Sequence, residues 1–351
     1  MRNDTRLAYN AYLGQIASLN GVSDATVAFS VAPVVEQKLE EIIQKSSDFL
    51  SKISIITVKQ QEGAKVGIGV TRPIASRTLT NSATGVRRKP VDPTDTADKG
   101  RYFCAQTNSD VGIKYAKLDM WAHRPEFQTL IRDTIVKQQG RDRIMIGWNG
   151  TSRADTTDIT ANPMLQDVNL GWLYKIRTFA PDRVMSDGGI TPDATKAVYV
   201  AAGTPGQDVD YVNLDALVFD ATELLDEWHR DDTDLVVIVG RDLLQDKYSN
   251  IINAAGDKAT EMEARNRILT LPKQIGGKTA VVVPFFPATS LLITSLDNLA
   301  IYVQAESRRR QIKDAPEFDE IQDFQSVNEA YVVEDYGRCA LVENIQMKKK
   351  P

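Results

Sequence analysis

Histidine and cysteine are almost missing from this sequence, with two of each in 351 residues. His123 and His229 have no second His or Cys at a ligand or relay spacing, which argues against a metal site or an activated nucleophile and for surface or boundary positions. Cys104 and Cys339 match no zinc spacing, redox pair or disulfide framework, so a reducing, cytoplasmic origin is expected. An excess of one charge is also missing, because 42 Lys and Arg face 47 Asp and Glu for a net charge of -5. A dedicated nucleic-acid binder normally shows a basic surplus, so nucleic acid is expected only as a loosely held neighbour. No apolar run approaches the ~20 residues of a membrane span, and the opening MRNDTRLAYN lacks the apolar core of a signal peptide. A soluble protein that is not exported by that route, with no membrane partner, is expected.

Motifs for small-molecule chemistry fail on inspection. VGIGVT (66–71) supplies Gly-x-Gly, but Arg72 stands where a dinucleotide fingerprint needs its third glycine and Pro73 follows where a helix should begin. GGKT (276–279) resembles the end of a phosphate loop, yet Pro272 occupies the first glycine position and a strand follows, so a hairpin turn is preferred. Neither a G-x-S-x-G elbow nor an H-E-x-x-H helix occurs. The carboxylate pairs Asp231 with Asp232 and Asp319 with Glu320 read as solvated faces. No catalytic residue, cofactor or metal is expected.

What is present is a substantial core, with 42% hydrophobic residues, in a length that suggests two or three folding units. Tyr9, Tyr12, Leu13, Ile16 and Leu19 form one helical stripe that stops at Asn20 and Gly21. Pro33 opens a second helix, with Leu39, Ile42, Ile43, Phe49 and Leu50 as its apolar face. Strand-like runs at 53–58 and 66–71 precede a polar stretch from Arg72 to Arg101, after which Val111, Ile113 and Tyr115 alternate as in a half-buried strand, so a projecting hairpin is expected. Pro125 can start a long helix through Trp148 despite Gly140, and Leu214 to Trp228 carries another stripe. A Gly, Pro and Asp-rich exposed insertion is expected over 186–210. The last third alternates strands with one long helix from Arg241 to about Asn253, which points to a small α/β unit with a mixed sheet.

Three basic clusters stand out: Arg87, Arg88 and Lys89; Arg308, Arg309 and Arg310; and Lys348 to Lys350. They are either ordinary solvated charge or inter-subunit contacts. Glu36, Glu40, Glu41 and the set Asp314, Glu317, Asp319, Glu320 and Asp323 offer complementary carboxylates, which Arg pairs bidentately. Exposed pairs are worth ~0–1 kcal/mol each, but a lattice repeats them.

Taken in order, SSDFL (46–50), VGIGVT (66–71), LDMWA (118–122), GWNG (147–150), NPMLQDV (162–168), LDALVFDA (214–221), DLVVIVGRDLL (234–244), VPFFP (283–287) and YVVEDY (331–336) closely resemble the major capsid proteins of P2-type tailed bacteriophages. The resemblance covers nearly the whole chain and is weakest at 186–210. It implies an α+β chain of the HK97-type capsid fold, with an N-terminal arm and leading helices (1–52), an extended β-hairpin loop (53–122), a peripheral domain with a long spine helix (123–233), an axial domain (234–323) and return strands with a C-terminal tail (324–351).

Function follows from the same resemblance. It implies a structural, non-enzymatic subunit that self-assembles into the hexamers and pentamers of an icosahedral head around packaged double-stranded DNA. The shell is expected to be built in the bacterial cytoplasm and to end in the virion. An internal scaffolding protein with protease activity and a portal protein are the implied partners. Removal of an N-terminal segment during maturation is also implied, with Phe29 and Ser30 at the matching bond. A non-viral shell of the same fold, or an α/β enzyme with a pocket near Gly240, are the competing readings.

Overall fold

Residues 1–65, 74–81, 83–85, 87–90, 100–121, 127–186, 197–245, 247 and 273–350 are described by a computed structural model of the chain. The Gly-x-Gly stretch 66–71, His123, Pro125, residues 187–196 and the expected helix beyond 247 lie outside them. Elements are numbered along the chain. Two units are built, neither from one continuous segment: Met1–Gly63, Tyr102–Tyr174 and Leu299–Val332 form the first, and Ala64–Arg101, Lys175–Asn298 and Val333–Pro351 the second.

The first unit carries helices α1 (Asn3–Asn20), α2 (Pro33–Lys45), α3 (Tyr115–Trp121) and α4 (Phe127–Asn149). Its main sheet uses β1 (Phe29–Ser30), β2 (Ser54–Val58), β13 (Leu299–Gln304), β14 (Arg309–Ala315) and the 14-residue β15 (Glu320–Val333), in the order β1-β14-β15-β13-β2. Strands β5 (Ala105–Asn108) and β6 (Val111–Lys114) also pair with β15, with Asn108 opposite Ser326 and Ile113 opposite Ile321. The expected hairpin therefore takes a different form, since β2 lies parallel to β13 and β6 antiparallel to β15. The polar excursion is closed instead by the short pair β3 (Glu62–Ala64) and β4 (Arg101–Phe103).

Local sequence explains how these helices seat. In α1, Tyr9, Tyr12 and Ile16 recur at helical spacing and are buried, and Gly21 ends the helix at φ 67°, where its N–H and that of Val22 return to the Ser18 and Ala17 carbonyls. Their bed is Leu118, Ile131, Ile135, Ile312 and Ile321. The centre of the unit is aromatic: Trp172, which opens α5 (Trp172–Phe179), lies 4.9 Å from Trp148 and 5.5 Å from Tyr331 between ring centroids, and Phe49 lies 5.4 Å from Trp148. These two contacts of Trp172 are edge-on, an arrangement that adds ~0.5–1.5 kcal/mol each beyond burial. Gly147 and Gly171 permit it, because a Cβ on Gly147 would run into the Trp172 ring and one on Gly171 would meet the Ile146 carbonyl oxygen at 2.6 Å.

The second unit has a six-stranded mixed sheet: β10 (Gln274–Ile275), β11 (Lys278–Val281), β9 (Val236–Val239), β12 (Leu291–Thr294), β16 (Ala340–Val342) and β7 (Val184–Met185). A small parallel pair joins β8 (Val198–Tyr199) to β17 (Ile345–Gln346). Helix α6 (Leu214–Thr222) covers the sheet with Leu214, Leu217, Val218 and Ala221. It stops at Thr222, so Trp228 falls in a separate 3-10 turn and is 51% exposed. Gly276 and Gly277, with φ of 57° and 77°, make the tight turn between β10 and β11. The stretch 234–323, expected as one axial part, is shared between units, because β13 and β14 belong to the sheet of the first.

Candidate assembly surfaces

The basic clusters separate sharply by environment. Arg87, Arg88 and Lys89 are exposed, as is every described residue of 74–90, including Ile74 and Leu79. Asn81 shapes this run locally by accepting the Ala83 N–H at 2.9 Å, and Gly85 sits at φ 70°. None of the three cations has an ion pair among the described residues.

Arg308 and Arg310 correct the expectation of contacts to a neighbour, because both are consumed inside the chain. Arg308 is buried and donates to Glu40, while Arg310 grips Asp323 at 3.0 and 2.6 Å and donates to the Tyr12 hydroxyl at 2.8 Å. The pleat is the reason: successive strand residues face opposite sides, so only Arg309 emerges, exposed and without an ion pair among the described residues. Most of the complementary carboxylates are also used internally, with Asp314 on Arg6, Glu320 on Lys114 at 3.2 Å and Glu317 on Lys313 at 3.7 Å. In the second unit, Lys349 and Lys350 pair with Asp208 and Asp210 at 3.3 and 2.7 Å.

Sequence reasoning missed the knot around Arg143. Helix α2 turns Glu36 and Glu40 inward beside Ile43, leaving Leu39 half-buried and Ile42 exposed, and Arg143 of α4 meets Glu40 at 2.7 and 3.1 Å. Glu329 completes the set, accepting from Arg143 at 2.9 and 2.6 Å. Burial alone would raise the Glu40 carboxyl, but the charges and hydrogen bonds of Arg143 and Arg308 outweigh it and hold the group at about 2. Glu36 shows the reverse, since burial pushes it up and its Oε1 has no partner among the described residues, although the Glu306 N–H donates to Oε2 at 3.0 Å. A usable signal was the i, i+4 recurrence of Glu36 and Glu40 on an otherwise apolar helix face.

Phe29 and Ser30 form β1, an edge strand in register with Arg310 and Arg309 of β14. Phe29 is half-buried and Ser30 exposed. His229 of the second unit bridges Asp232 at 2.9 Å and Asp335 at 3.2 Å, as a tie between loops. Among the described residues no group of three His, Cys, Asp or Glu is placed to hold a metal ion, and no helix is long and apolar enough to cross a membrane. Gly240, the position of the enzyme-like reading, is a packing glycine, because a Cβ there would strike the backbone of Ala288.

The sequence matches, over residues 8–345, the family described as phage major capsid protein, P2 family. It is 47% identical over 350 residues to the capsid proteins of Escherichia phage P2, covering 99% of this chain and 96% of that one. Its identity to the major capsid protein of Serratia phage KSP20 is 42% over 350 residues, covering 98% and 97%. Among solved structures it is similar to a chain of the satellite phage P4 procapsid that includes the size determination (Sid) protein, with a TM-score of 0.76, 44% identity and 99% of both chains covered.

Proposed function

This chain belongs to the P2 family of phage major capsid proteins and has the HK97-type fold, and from that premise we propose that its copies form the hexamers and pentamers of an icosahedral head around double-stranded DNA. The observation that carries this reading is the run 74–90, whose described residues are all exposed and include apolar Ile74 and Leu79, 67% and 91% exposed. Apolar side chains left in water on an irregular segment gain most by lying on another copy. Arg87, Arg88, Lys89 and Arg309 then meet carboxylates of neighbours, in bonds that are weak singly and effective by repetition. The acidic net charge suits DNA as a non-specific interior neighbour.

An internal scaffolding protein with protease activity acts during assembly in the host cytoplasm and cuts between Phe29 and Ser30, and a portal protein completes the shell. The edge position of β1 supports the cut, because a protease reads an extended strand and only two ladder residues tie this one. Electron microscopy of the chain expressed with its scaffold should show closed shells, and a persistent monomer would sink the proposal. Mass spectrometry of DNA-filled heads should show a chain beginning at Ser30, and an intact Met1 would remove the cut.

A further inference from the structure

Segment 1–29 is anchored to its own subunit along its whole length. Tyr9, Tyr12 and Ile16 fill the bed formed by Leu118, Ile131, Ile135, Ile312 and Ile321. Around that bed, Asp119 accepts from the Arg2 N–H at 3.0 Å and from the Thr5 hydroxyl, Asp314 holds Arg6, and Arg310 holds the Tyr12 hydroxyl at 2.8 Å. The linker has holds of its own. Ala25 is buried and its carbonyl accepts the Ile312 N–H at 3.1 Å, the Thr26 carbonyl accepts from Gln311 at 2.9 Å, and Phe29 packs on the same bed.

Residues after the bond are tied independently, since Val31 is buried and its N–H donates to the Arg308 carbonyl at 2.9 Å. Helix α1 is closed by the Gly21 and Val22 N–H groups, both on the N-terminal side of the bond, and its Asn20 accepts the Ala32 N–H at 3.0 Å, a non-covalent tie across the cut.

We infer that a cut between Phe29 and Ser30 does not release the arm: residues 1–29 stay in place as a separate peptide, and the bed of α1 is a helix-binding groove. The inference takes the position of the cut from the function proposed above. Hydrolysis adds water across one amide, leaving a carboxylate on Phe29 and an ammonium on Ser30. The carboxylate arises in register with Arg310 and beside Arg309, which has no ion pair of its own among the described residues. None of the contacts above is covalent, so none is lost. The cost is the change from a tethered to a free ligand, and enclosure in a shell keeps the local peptide concentration high. Release would instead bare five apolar side chains to water.

The test uses the full chain with the recognition sequence of a specific endoprotease inserted between the half-buried Phe29 and the exposed Ser30, so that it does not depend on the native protease. After cleavage and gel filtration at micromolar concentration, mass spectrometry should find the N-terminal peptide with the body at one to one. Elution of the folded body without peptide overturns the inference. In a second sample the cleaved chain is incubated with a labelled synthetic 1–29 peptide, and Thr5→Ala with Arg6→Ala, changes at the rim of the bed, should speed exchange at least tenfold. Exchange at the wild-type rate would show that the peptide is held elsewhere and would equally overturn the groove. An uncut Met1 in native heads would remove the proposed maturation and leave this result standing.

Discussion

Arg143 on α4 and Glu329 on β15, 186 positions apart, meet through two hydrogen bonds of 2.9 and 2.6 Å at a point where each side chain is 4% exposed. With Glu40 and Arg308 they form a set of two cations and two anions that ties α2, α4, β15 and the entrance to β14 within the first unit. Burying such a set is expensive, and it is stable only while every member keeps its partner.

Arg143→Ala is therefore expected to cost about 3–5 kcal/mol, because it strands the buried Glu329 carboxylate and leaves Glu40 to Arg308 alone. Denaturant unfolding of the unassembled subunit measures this. Arg143→Lys should lose much of the same stability, since an ammonium does not reproduce the guanidinium fork.

The acid limb of stability should carry the signature of Glu40. Its folded value of about 2 lies below the ordinary carboxylate range. A depressed acid contributes stability that is present above its unfolded value and is lost as pH falls through the folded one. The window runs from about pH 5 down to about 2, and the amount is on the order of 3 kcal/mol. Unfolding midpoints across that range should fall in wild type and fall less in Glu40→Gln, which starts from a lower stability at neutral pH.

Glu36 should behave oppositely. Burial raises its carboxyl, so its ionisation works against folding as pH rises through the folded value. Glu36→Gln keeps an oxygen for the Glu306 N–H. It is expected to stabilise the subunit at pH 7, because it removes a charge that burial disfavours while a polar atom stays in the place of Oε1. A thermal melt that drops instead would contradict this assignment.

Gly171→Ala should be severe for its size. Its Cβ would lie 2.6 Å from the Ile146 carbonyl oxygen and 2.5 Å from that of Gly147, and backbone does not yield as a side-chain tip does. A loss of at least the ~1–3 kcal/mol typical of overpacking is expected, visible as a lowered melting temperature and changed tryptophan fluorescence from the disturbed Trp172.

The exposed cations separate assembly from folding. Replacing Arg87, Arg88 and Lys89 together by Ala should leave the unfolding midpoint of the subunit within about 0.5 kcal/mol of wild type, as surface changes do. Shell yield should fall, and wild-type yield should show a steeper salt dependence than the variant, which keeps only Arg309 of these cations. Light scattering during assembly at several ionic strengths checks both.

Much of this protein was legible without coordinates. Helical spacing carried Tyr9, Tyr12 and Ile16 into one buried stripe, Asn20 and Gly21 marked its end, and the two glycines of GGKT marked a hairpin turn in place of a phosphate loop. The ordered run of motifs from SSDFL to YVVEDY carried the family. These features rest on near-neighbour geometry, which a sequence states directly: 3.6 residues per helical turn, two per pleat, positive φ at glycine.

The tertiary structure alone decided where the charges went. Arg308, Arg309 and Arg310 read as one patch, yet two of them find carboxylates inside the chain and only Arg309 is left to the surface. The partners lie far away along the chain, Glu40 being 268 positions from Arg308 and 103 from Arg143. A cation is exposed or buried according to what packing brings over it, and that is settled only when distant segments condense around one core.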